Sequence, residues 1–444
     1  MNLIDKTVAA ALLSALLLAL SLAQRALRGA LRMHFINKLA IAALLLGLAM
    51  AAPAEARWVG SWTAPPHAPL GTEGPFAAAS YDDVTLSQVL RISEGGEKVR
   101  VRFTNRYGPA PLAIGEARIV RIDDAGEEIA GTNRPLTFGA EAGAVIPRGS
   151  PFVSDAVELD LPDLSRVKVE FYLPEPTGPC TCHLTGLDML AVSPPGNHVG
   201  EHFEPASTAQ VRAFLALVET FSPESPGTIV AFGDSITDGV GSTSGANRRW
   251  PDILANRLQE AGMDYAVANA GISGNRVLSP GMGESALARF DEDVLTLPNV
   301  THLIIFEGIN DIGNRYGPTA GGLGGLTLDQ PEITPEQMIA GYRQLIARAH
   351  DKGIKVIGSP IGPYKGASYW TEEGEAARQT VNEWILTSGE FDAIVRLDTA
   401  FADPADPEQM REGYHMGDFL HGSDAGLQAA GESIDLSLFA PTSD

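Results

Sequence analysis

The chain has 444 residues, more than one ordinary hydrophobic core accommodates, so its length predicts more than one domain. Hydrophobic residues make up 44% and charged residues 20% of the sequence, a balance that is typical of globular proteins and excludes disordered, collagen-like and coiled-coil chains. The formal net charge is −23, and no basic stripe with interleaved aromatic residues is present, so nucleic acid is not expected as a partner.

The first 56 residues have the pattern of a targeting region. Residues 33–38 form a short positive start, residues 39–52 are an apolar run too short to span a bilayer comfortably, and residues 54–56 (Ala-Glu-Ala) match a signal-peptidase site. We therefore expect export to the periplasm or the cell exterior, cleavage after Ala56, and no stable membrane span in the mature protein. A second apolar stretch precedes Met33, which favours translation from Met33 over an uncleaved membrane anchor.

The sequence contains two cysteines, Cys180 and Cys182. An even number in an exported protein suggests a disulfide, but one intervening residue would make the ring small and strained. A metal site formed with His183 lacks a visible fourth ligand. The spacing therefore favours free or structural cysteines.

Residues 58–204 alternate between apolar and polar side chains, most clearly at 98–103 and 166–171. Turn-forming residues at 94–96, 123–126 and 174–179 separate these runs. Short alternating strands predict an antiparallel β-sandwich, jelly-roll-like, over residues 57–222. A Pro/Ser-rich segment at 221–227 marks its end.

From residue 228 onward, strand and helix patterns alternate, which predicts a second domain (223–444) with a parallel sheet covered on both faces. The predicted strands are 228–232, 265–268, 302–306, 355–358 and 394–397. The predicted helices are 250–261, 285–295, 335–352, 372–387 and 424–438.

Polar loops follow three of these strands, at residues 233–239, 269–276 and 307–311, and a fourth segment at 417–421 precedes the last helix. Ser235 lies at a strand-to-helix turn, where free backbone N–H groups can face an anion. A phosphate loop is excluded because no Gly-Lys-Ser/Thr follows, and Thr237 stands where a Gly-x-Ser-x-Gly elbow requires glycine.

Together, the four segments resemble the signature blocks of the SGNH (GDSL) hydrolase family over residues 228–439. The resemblance implies a flavodoxin-like three-layer α/β/α fold and the activity of a serine esterase, lipase, thioesterase or carbohydrate deacetylase. The β-domain is similar to one that precedes this fold in some secreted bacterial members.

The same resemblance assigns a role to five residues. Ser235 would be the nucleophile, His421 its general base, and Asp418 the carboxylate that orients the imidazole. The backbone N–H groups of Ser235 and Gly274 and the side-chain amide of Asn310 would form the oxyanion hole. His415 is the rival base, but it lacks an aspartate three residues before it.

Other polar residues in these loops have structural alternatives. Asp234, Asp238 and Asp311 are expected to brace loop backbone rather than transfer protons. Asn275 and Arg276 could reach a substrate or serve as caps. The glycine-rich segment 313–325 is either a mobile flap over the acyl pocket or a surface loop.

These observations predict hydrolysis of a carboxylic ester through an acyl-enzyme on Ser235, without a metal or organic cofactor. A short acyl group is expected, on a small-molecule or polysaccharide ester. The alternatives are a long-chain lipase or lysophospholipase, and a carbohydrate-binding protein whose hydrolase domain is vestigial. The sequence leaves the oligomeric state open.

Overall fold

The computed structural model describes residues 57–70, 77–317 and 333–440. The predicted export signal, the start at Met33 and the cleavage site after Ala56 lie outside the described residues. Within the described ranges, no helix combines the length and apolarity that crossing a bilayer requires.

The N-terminal part of the described chain consists of antiparallel strands, as the alternating pattern predicts. One sheet contains, in spatial order, Trp58–Thr63, Leu215–Phe221, Gly96–Thr104 and Pro151–Val153, with Val157–Leu161 also paired to Gly96–Thr104. The other sheet contains Ser207–Ala209, Leu190–Pro195, Val84–Arg91, Arg166–Leu173, Glu116–Ile122 and Arg134–Leu136. Two short pairs complete this region: Leu112–Ile114 with Ala144–Ile146, and Cys182–His183 with Arg212–Ala213.

Both antiparallel sheets contribute side chains to one apolar core. Along Gly96–Thr104 alternate residues are buried, and Arg166–Leu173 supplies buried residues from the other sheet. The rings of Phe103 and Phe171 meet edge to face with centroids 5.3 Å apart. The alternation of apolar and polar residues therefore corresponds to an antiparallel, strand-rich region. The jelly-roll topology remains a prediction.

The state of Cys180 and Cys182 was predicted wrongly, because the structure joins them in a disulfide. Their Cα atoms lie 5.4 Å apart, which is within the range that a disulfide spans. In extended chain, residues two apart point to the same side, so the short spacing brings the sulfurs together. Both residues are buried in the core of the antiparallel region.

The C-terminal part contains the predicted parallel sheet. In chain order its strands are Thr228–Gly233, Ala266–Gly271, Val300–Phe306, Lys355–Gly358 and Ala393–Ile394, and they are arranged 2-1-3-4-5. This is the strand order of flavodoxin-like sheets, with the reversal of order at the first strand. Every residue of Thr228–Gly233 is buried, which explains its continuous apolar run.

Helices alternate with these strands. They are Ser235–Asp238, Trp250–Glu260, Ala286–Phe290 (continued as a π-helix, Asp291–Leu295), Ile309–Tyr316, Pro335–His350, Glu372–Thr387, Leu397–Phe401 and Asp424–Ser433, followed by a 3₁₀ turn, Leu436–Phe439. A two-stranded hairpin, Ala402–Asp403 with Asp406–Met410, was not predicted.

Two predicted elements end three or more residues early. The predicted strand 394–397 ends at Ile394, and Leu397 instead begins a short helix. The predicted helix 424–438 ends at Ser433, because Ile434 is extended. In both places buried apolar residues continue through the break, so hydrophobic spacing did not reveal it.

The antiparallel region covers the edge strand Ala266–Gly271 of the parallel sheet. The Ser93 hydroxyl donates to the Val267 carbonyl (3.0 Å) and accepts from the Val267 N–H (2.9 Å). The Thr63 hydroxyl donates to the Asn269 carbonyl at 2.6 Å. Edge-strand groups are thus paired by side chains rather than left for another strand.

Candidate active site

Ser235 is the first residue of a one-turn helix at the carboxyl end of Thr228–Gly233. Asp234 caps this helix by accepting from the Ile236 N–H at 2.9 Å, and Gly239 ends it in the left-handed conformation. A Cβ on Gly233 would lie 2.2 Å from the Phe306 carbonyl oxygen, so only glycine fits where the strand turns into the helix. The turn holds Ser235 in a fixed position, 5% exposed.

The His421 segment is a loop that organises its own backbone. One carboxylate oxygen of Asp418 accepts from the N–H groups of Leu420 and His421, both at 3.0 Å. The rival histidine, His415, accepts from the N–H groups of Gly417 (3.0 Å) and Phe419 (3.3 Å). His415 therefore shapes this loop through its ring nitrogen.

The fold brings Ser235, His421 and Asp418 into one hydrogen-bonded row. The Ser235 Oγ lies 2.8 Å from the His421 Nε2, and the His421 Nδ1 lies 2.6 Å from the Asp418 Oδ2. Because a carboxylate only accepts, His421 Nδ1 carries the proton and Nε2 can accept from the serine hydroxyl. Burial alone would raise the pKa of Asp418, but hydrogen bonds from His421 and neighbouring N–H groups outweigh it and lower the pKa to about 2.

The two other predicted residues lie in neighbouring segments that contact each other, Gly274 in a loop and Asn310 at the start of the helix Ile309–Tyr316. Gly274 occupies a turn closed by the Asn275 N–H and the Ile272 carbonyl (3.1 Å), with φ of +71°, a conformation that favours glycine. The Asn310 amide donates to the Asn275 carbonyl at 3.0 Å. An amide nitrogen carries two hydrogens, and this bond uses one of them.

The family model of the "GDSL-like Lipase/Acylhydrolase family" matches residues 231–429, a range that contains all five of these residues. This part of the chain is a GDSL hydrolase domain. The family is a class of ester-hydrolysing enzymes, so the resemblance drawn from the four segments is confirmed.

Solved structures similar to part of this chain include three named esterases or lipases. A GDSL-like lipase from Bacteroides thetaiotaomicron is 18% identical, covers 48% of this chain and 87% of that chain, and has a TM-score of 0.34. An acetyl xylan esterase variant from Geobacillus stearothermophilus is 20% identical, covers 47% of this chain and 93% of that chain, and has a TM-score of 0.37. A lipase/acylhydrolase from Enterococcus faecalis is 19% identical, covers 46% of this chain and 91% of that chain, and has a TM-score of 0.34. A search of curated proteins gave no significant match.

Three buried acidic residues of the GDSL domain, Asp234, Glu307 and Asp311, are close enough to influence one another, and Asp234 directly precedes the serine. Asp311 accepts from the Val277 N–H at 2.7 Å, and Glu307 accepts from the Gly308 N–H at 3.1 Å. Burial raises the pKa values of Asp234, Asp311 and Glu307, and repulsion from another carboxylate in the group adds to the rise for Asp234 and Glu307. As predicted, Asp234 and Asp311 brace loop backbone.

Arg289 connects the loops of the GDSL domain, and sequence reasoning missed it. Its guanidinium, 3% exposed, donates to the carbonyls of Gly233 (2.9 Å) and Ala270 (2.8 Å) and to the Asn275 side chain (2.9 Å). It also pairs with Asp293 at 3.0 Å. The sequence signal for Arg289 is its i,i+4 spacing from Asp293 in a predicted helix, but such a pair is equally typical of an exposed helix surface.

The remaining predictions around the site have different outcomes. Asn275 is fully buried and donates to the Glu284 carbonyl at 2.7 Å, and Arg276 is 1% exposed and contacts the Pro280 carbonyl, so both are structural in this conformation. Of the glycine-rich segment, Gly313 lies inside the helix Ile309–Tyr316, which corrects the predicted start of the flap. Residues 318–325 lie outside the described part of the chain.

Across the described ranges, no group of three or more His, Cys, Asp or Glu side chains is arranged to hold a metal ion.

Proposed function

We propose that this protein is a serine carboxylic ester hydrolase that forms an acyl-enzyme on Ser235. The observation that carries the proposal is the hydrogen-bonded row of Ser235, His421 and Asp418, with contacts of 2.8 and 2.6 Å. A serine hydroxyl is a weak nucleophile until a base accepts its proton, and imidazole is suited to that task near neutral pH.

In the proposed reaction, Ser235 Oγ attacks the ester carbonyl carbon while His421 Nε2 accepts the hydroxyl proton. The imidazolium is stabilised by Asp418 and then gives that proton to the alcohol as the C–O bond breaks. A water molecule, activated in the same way, attacks the acyl-enzyme and releases the acid. No metal or organic cofactor takes part in these steps.

The oxyanion of the tetrahedral intermediate would accept from three donors: the N–H groups of Ser235 and Gly274 and the second N–H of the Asn310 amide. The support is local geometry. Ser235 begins a helix, where N–H groups lack intrahelical partners, and Gly274 has no side chain to keep the intermediate from the backbone. Loss of one such donor typically costs about 3 kcal/mol in the barrier.

The proposed substrates carry short acyl groups, acetyl or butyryl, on a small alcohol or a polysaccharide. The support comes from the sequence, in which no long apolar groove or interfacial helix is recognisable. Long-chain lipase or lysophospholipase activity is the alternative within the same chemistry.

The remaining proposals concern the parts outside the GDSL domain. The antiparallel region (57–222) would be a jelly-roll-like β-sandwich that precedes the catalytic domain (223–444) and could hold a polysaccharide near the site. Residues 1–56 would direct export, with cleavage after Ala56. Mass spectrometry of the protein recovered from the producing cells tests the cleavage, since a mature chain starting elsewhere than Arg57 would contradict it.

Hydrolysis of p-nitrophenyl acetate by the purified protein and by Ser235→Ala tests the function. We expect the substitution to lower kcat by about 10⁴-fold or more, because the nucleophile and its base act as a unit. A series of esters from acetate to palmitate then tests acyl length, with the highest kcat/KM expected at acetate or butyrate. Equal rates for the parent and Ser235→Ala would instead favour a binding protein with a vestigial hydrolase domain.

A further inference from the structure

Outside the row of Ser235, His421 and Asp418, a buried His–Asp contact joins the antiparallel region to the GDSL domain. His183, from the short strand Cys182–His183, places its Nε2 3.0 Å from the Asp238 Oδ1. Asp238 is the last residue of the helix that begins at Ser235. Both side chains are buried, at 5% and 3% exposure.

Asp238 in turn holds the loop that contains Gly274. Its second oxygen accepts from the Ser273 N–H at 3.1 Å and from the Ser273 hydroxyl at 2.8 Å. Thr185, two residues beyond His183, donates to the same Ser273 hydroxyl at 2.9 Å. The antiparallel region therefore contacts the residue that precedes a predicted oxyanion donor.

The partners of the His183 ring determine where its protons are. The Nδ1 lies 2.8 Å from the Pro65 carbonyl oxygen, and a carbonyl only accepts, so Nδ1 must carry hydrogen. The Nε2 faces a carboxylate, which also accepts when ionised. Both bonds are made when His183 is an imidazolium and Asp238 a carboxylate.

The surroundings are consistent with this ion pair. Burial alone would raise the pKa of Asp238, but the His183 charge and the hydrogen bonds from His183 and Ser273 outweigh it and leave the pKa below its usual value. His67, whose ring meets the His183 ring edge to face at 5.1 Å, has its pKa lowered to about 3, chiefly by burial and then by the charge of His183, and is neutral. Arg289 is a further cation whose charge also lowers the pKa of His67.

We propose that the His183–Asp238 ion pair is a positioning device, through which the antiparallel region holds the Ser273–Gly274 peptide in place for catalysis at Ser235. The inference rests on the proposed esterase function. It makes the antiparallel region part of the working active site, in addition to any role in binding substrate.

The test compares the full-length parent with His183→Ala on p-nitrophenyl acetate. Reactive sites are counted by p-nitrophenol release from a p-nitrophenyl phosphonate, so that kcat refers to folded, reactive enzyme. We expect His183→Ala to lower kcat per site by about tenfold or more with KM within about threefold, the signature of lost transition-state stabilisation. A smaller fall in kcat, or a change confined to KM or to the number of reactive sites, overturns the inference.

Three further variants complete the experiment. His350→Ala is the matched control, because His350 forms a 2.8 Å contact with Asp392 on the surface, and it is expected to leave kcat unchanged. Where His183→Ala does not fold, the same criterion applies to Asp238→Asn. The amide NH2 of that asparagine would face a hydrogen-bond donor of His183 or of Ser273. A parent no faster than Ser235→Ala overturns the proposed function and this inference together, whereas an active parent matched by His183→Ala overturns the inference alone.

Discussion

Arg289 shows how one buried side chain organises loops that are far apart in sequence. Its guanidinium spans from the strand end at Gly233 to the loop at Asn275. Each hydrogen bond replaces one to water that the buried acceptor has lost on folding. Arg289 is not hydrogen-bonded to Ser235 or His421, yet it holds the backbone carbonyl of Gly233, two residues before the serine, and that of Ala270 on the neighbouring strand.

We expect Arg289→Met to lower the free energy of unfolding by about 3–5 kcal/mol, because it leaves Asp293 and the carbonyls of Gly233 and Ala270 buried without their partner. Urea unfolding followed by circular dichroism measures this change. Arg343→Met is the control, since Arg343 pairs with Glu390 on the surface, and it should change stability little. Equal losses in the two variants would contradict the role assigned to Arg289.

At the scale of elements, the contacts between the antiparallel region and the helix Trp250–Glu260 include a buried carboxyl. Glu94 accepts from the Ser222 hydroxyl and from the Gln259 amide, both at 2.9 Å. Burial is the largest influence on this group and raises its pKa from 4.5 to about 8. Glu94 is therefore protonated in the folded protein at neutral pH.

This raised pKa predicts a pH-dependent weakness at the contact. Between pH 4.5 and about 8 the folded protein holds a proton on Glu94 that the unfolded chain releases. The stability that Glu94 contributes is therefore complete below pH 4.5 and is lost as pH rises through 8. Glu94→Gln, which cannot ionise, should remove this dependence of the free energy of unfolding on pH. Urea unfolding at pH 5.5, 7 and 8.5 makes the comparison, and parallel curves for parent and variant would refute it.

Elements with strong local signals were predicted well. The strand Lys355–Gly358 and the helix Glu372–Thr387 have the predicted bounds, and Pro335–His350 begins where predicted, at a Thr334–Gln337 capping box. The helix Ile309–Tyr316 was missed because its sequence reads as a polar loop, although all but its last two residues are buried. Burial of polar side chains is decided by tertiary partners, which hydrophobic spacing does not reveal.

For the molecule as a whole, buried histidines predict sensitivity to acid. Burial is the main cause that lowers the pKa of His302 from 6.5 to about 4, and His67 is lowered further. The unfolded chain therefore binds protons between pH 6.5 and 4 that the folded protein does not bind. The stability that these buried histidines contribute is complete above pH 6.5 and declines as pH falls from 6.5 to 4.

His302→Phe should make this acid decline shallower. The ring of His302 packs edge to face on Tyr265 (5.7 Å) and Phe439 (5.3 Å), so phenylalanine can keep the aromatic contacts while it removes the titrating group. Thermal unfolding at pH 7, 6, 5 and 4 measures the slope for parent and variant. An unchanged slope would show that His302 does not contribute to it.

The sequence by itself determined the class of each half of the described chain, because period-two alternation and buried strand–helix alternation are local patterns. It also identified Ser235, Gly274, Asn310, Asp418 and His421 as candidates, through four short segments whose order resembles a family. The match to the family model confirms the family, and the roles of these residues remain proposals.

Only the tertiary structure decided which distant groups meet. Ser235 and His421 are separated by 186 positions and lie 2.8 Å apart. His183, on a short strand of the antiparallel region, reaches Asp238 at the end of the helix that begins at Ser235. Contacts of this kind follow from how whole layers pack, and layer packing depends on many residues at once, whereas strand and helix patterns depend on near neighbours.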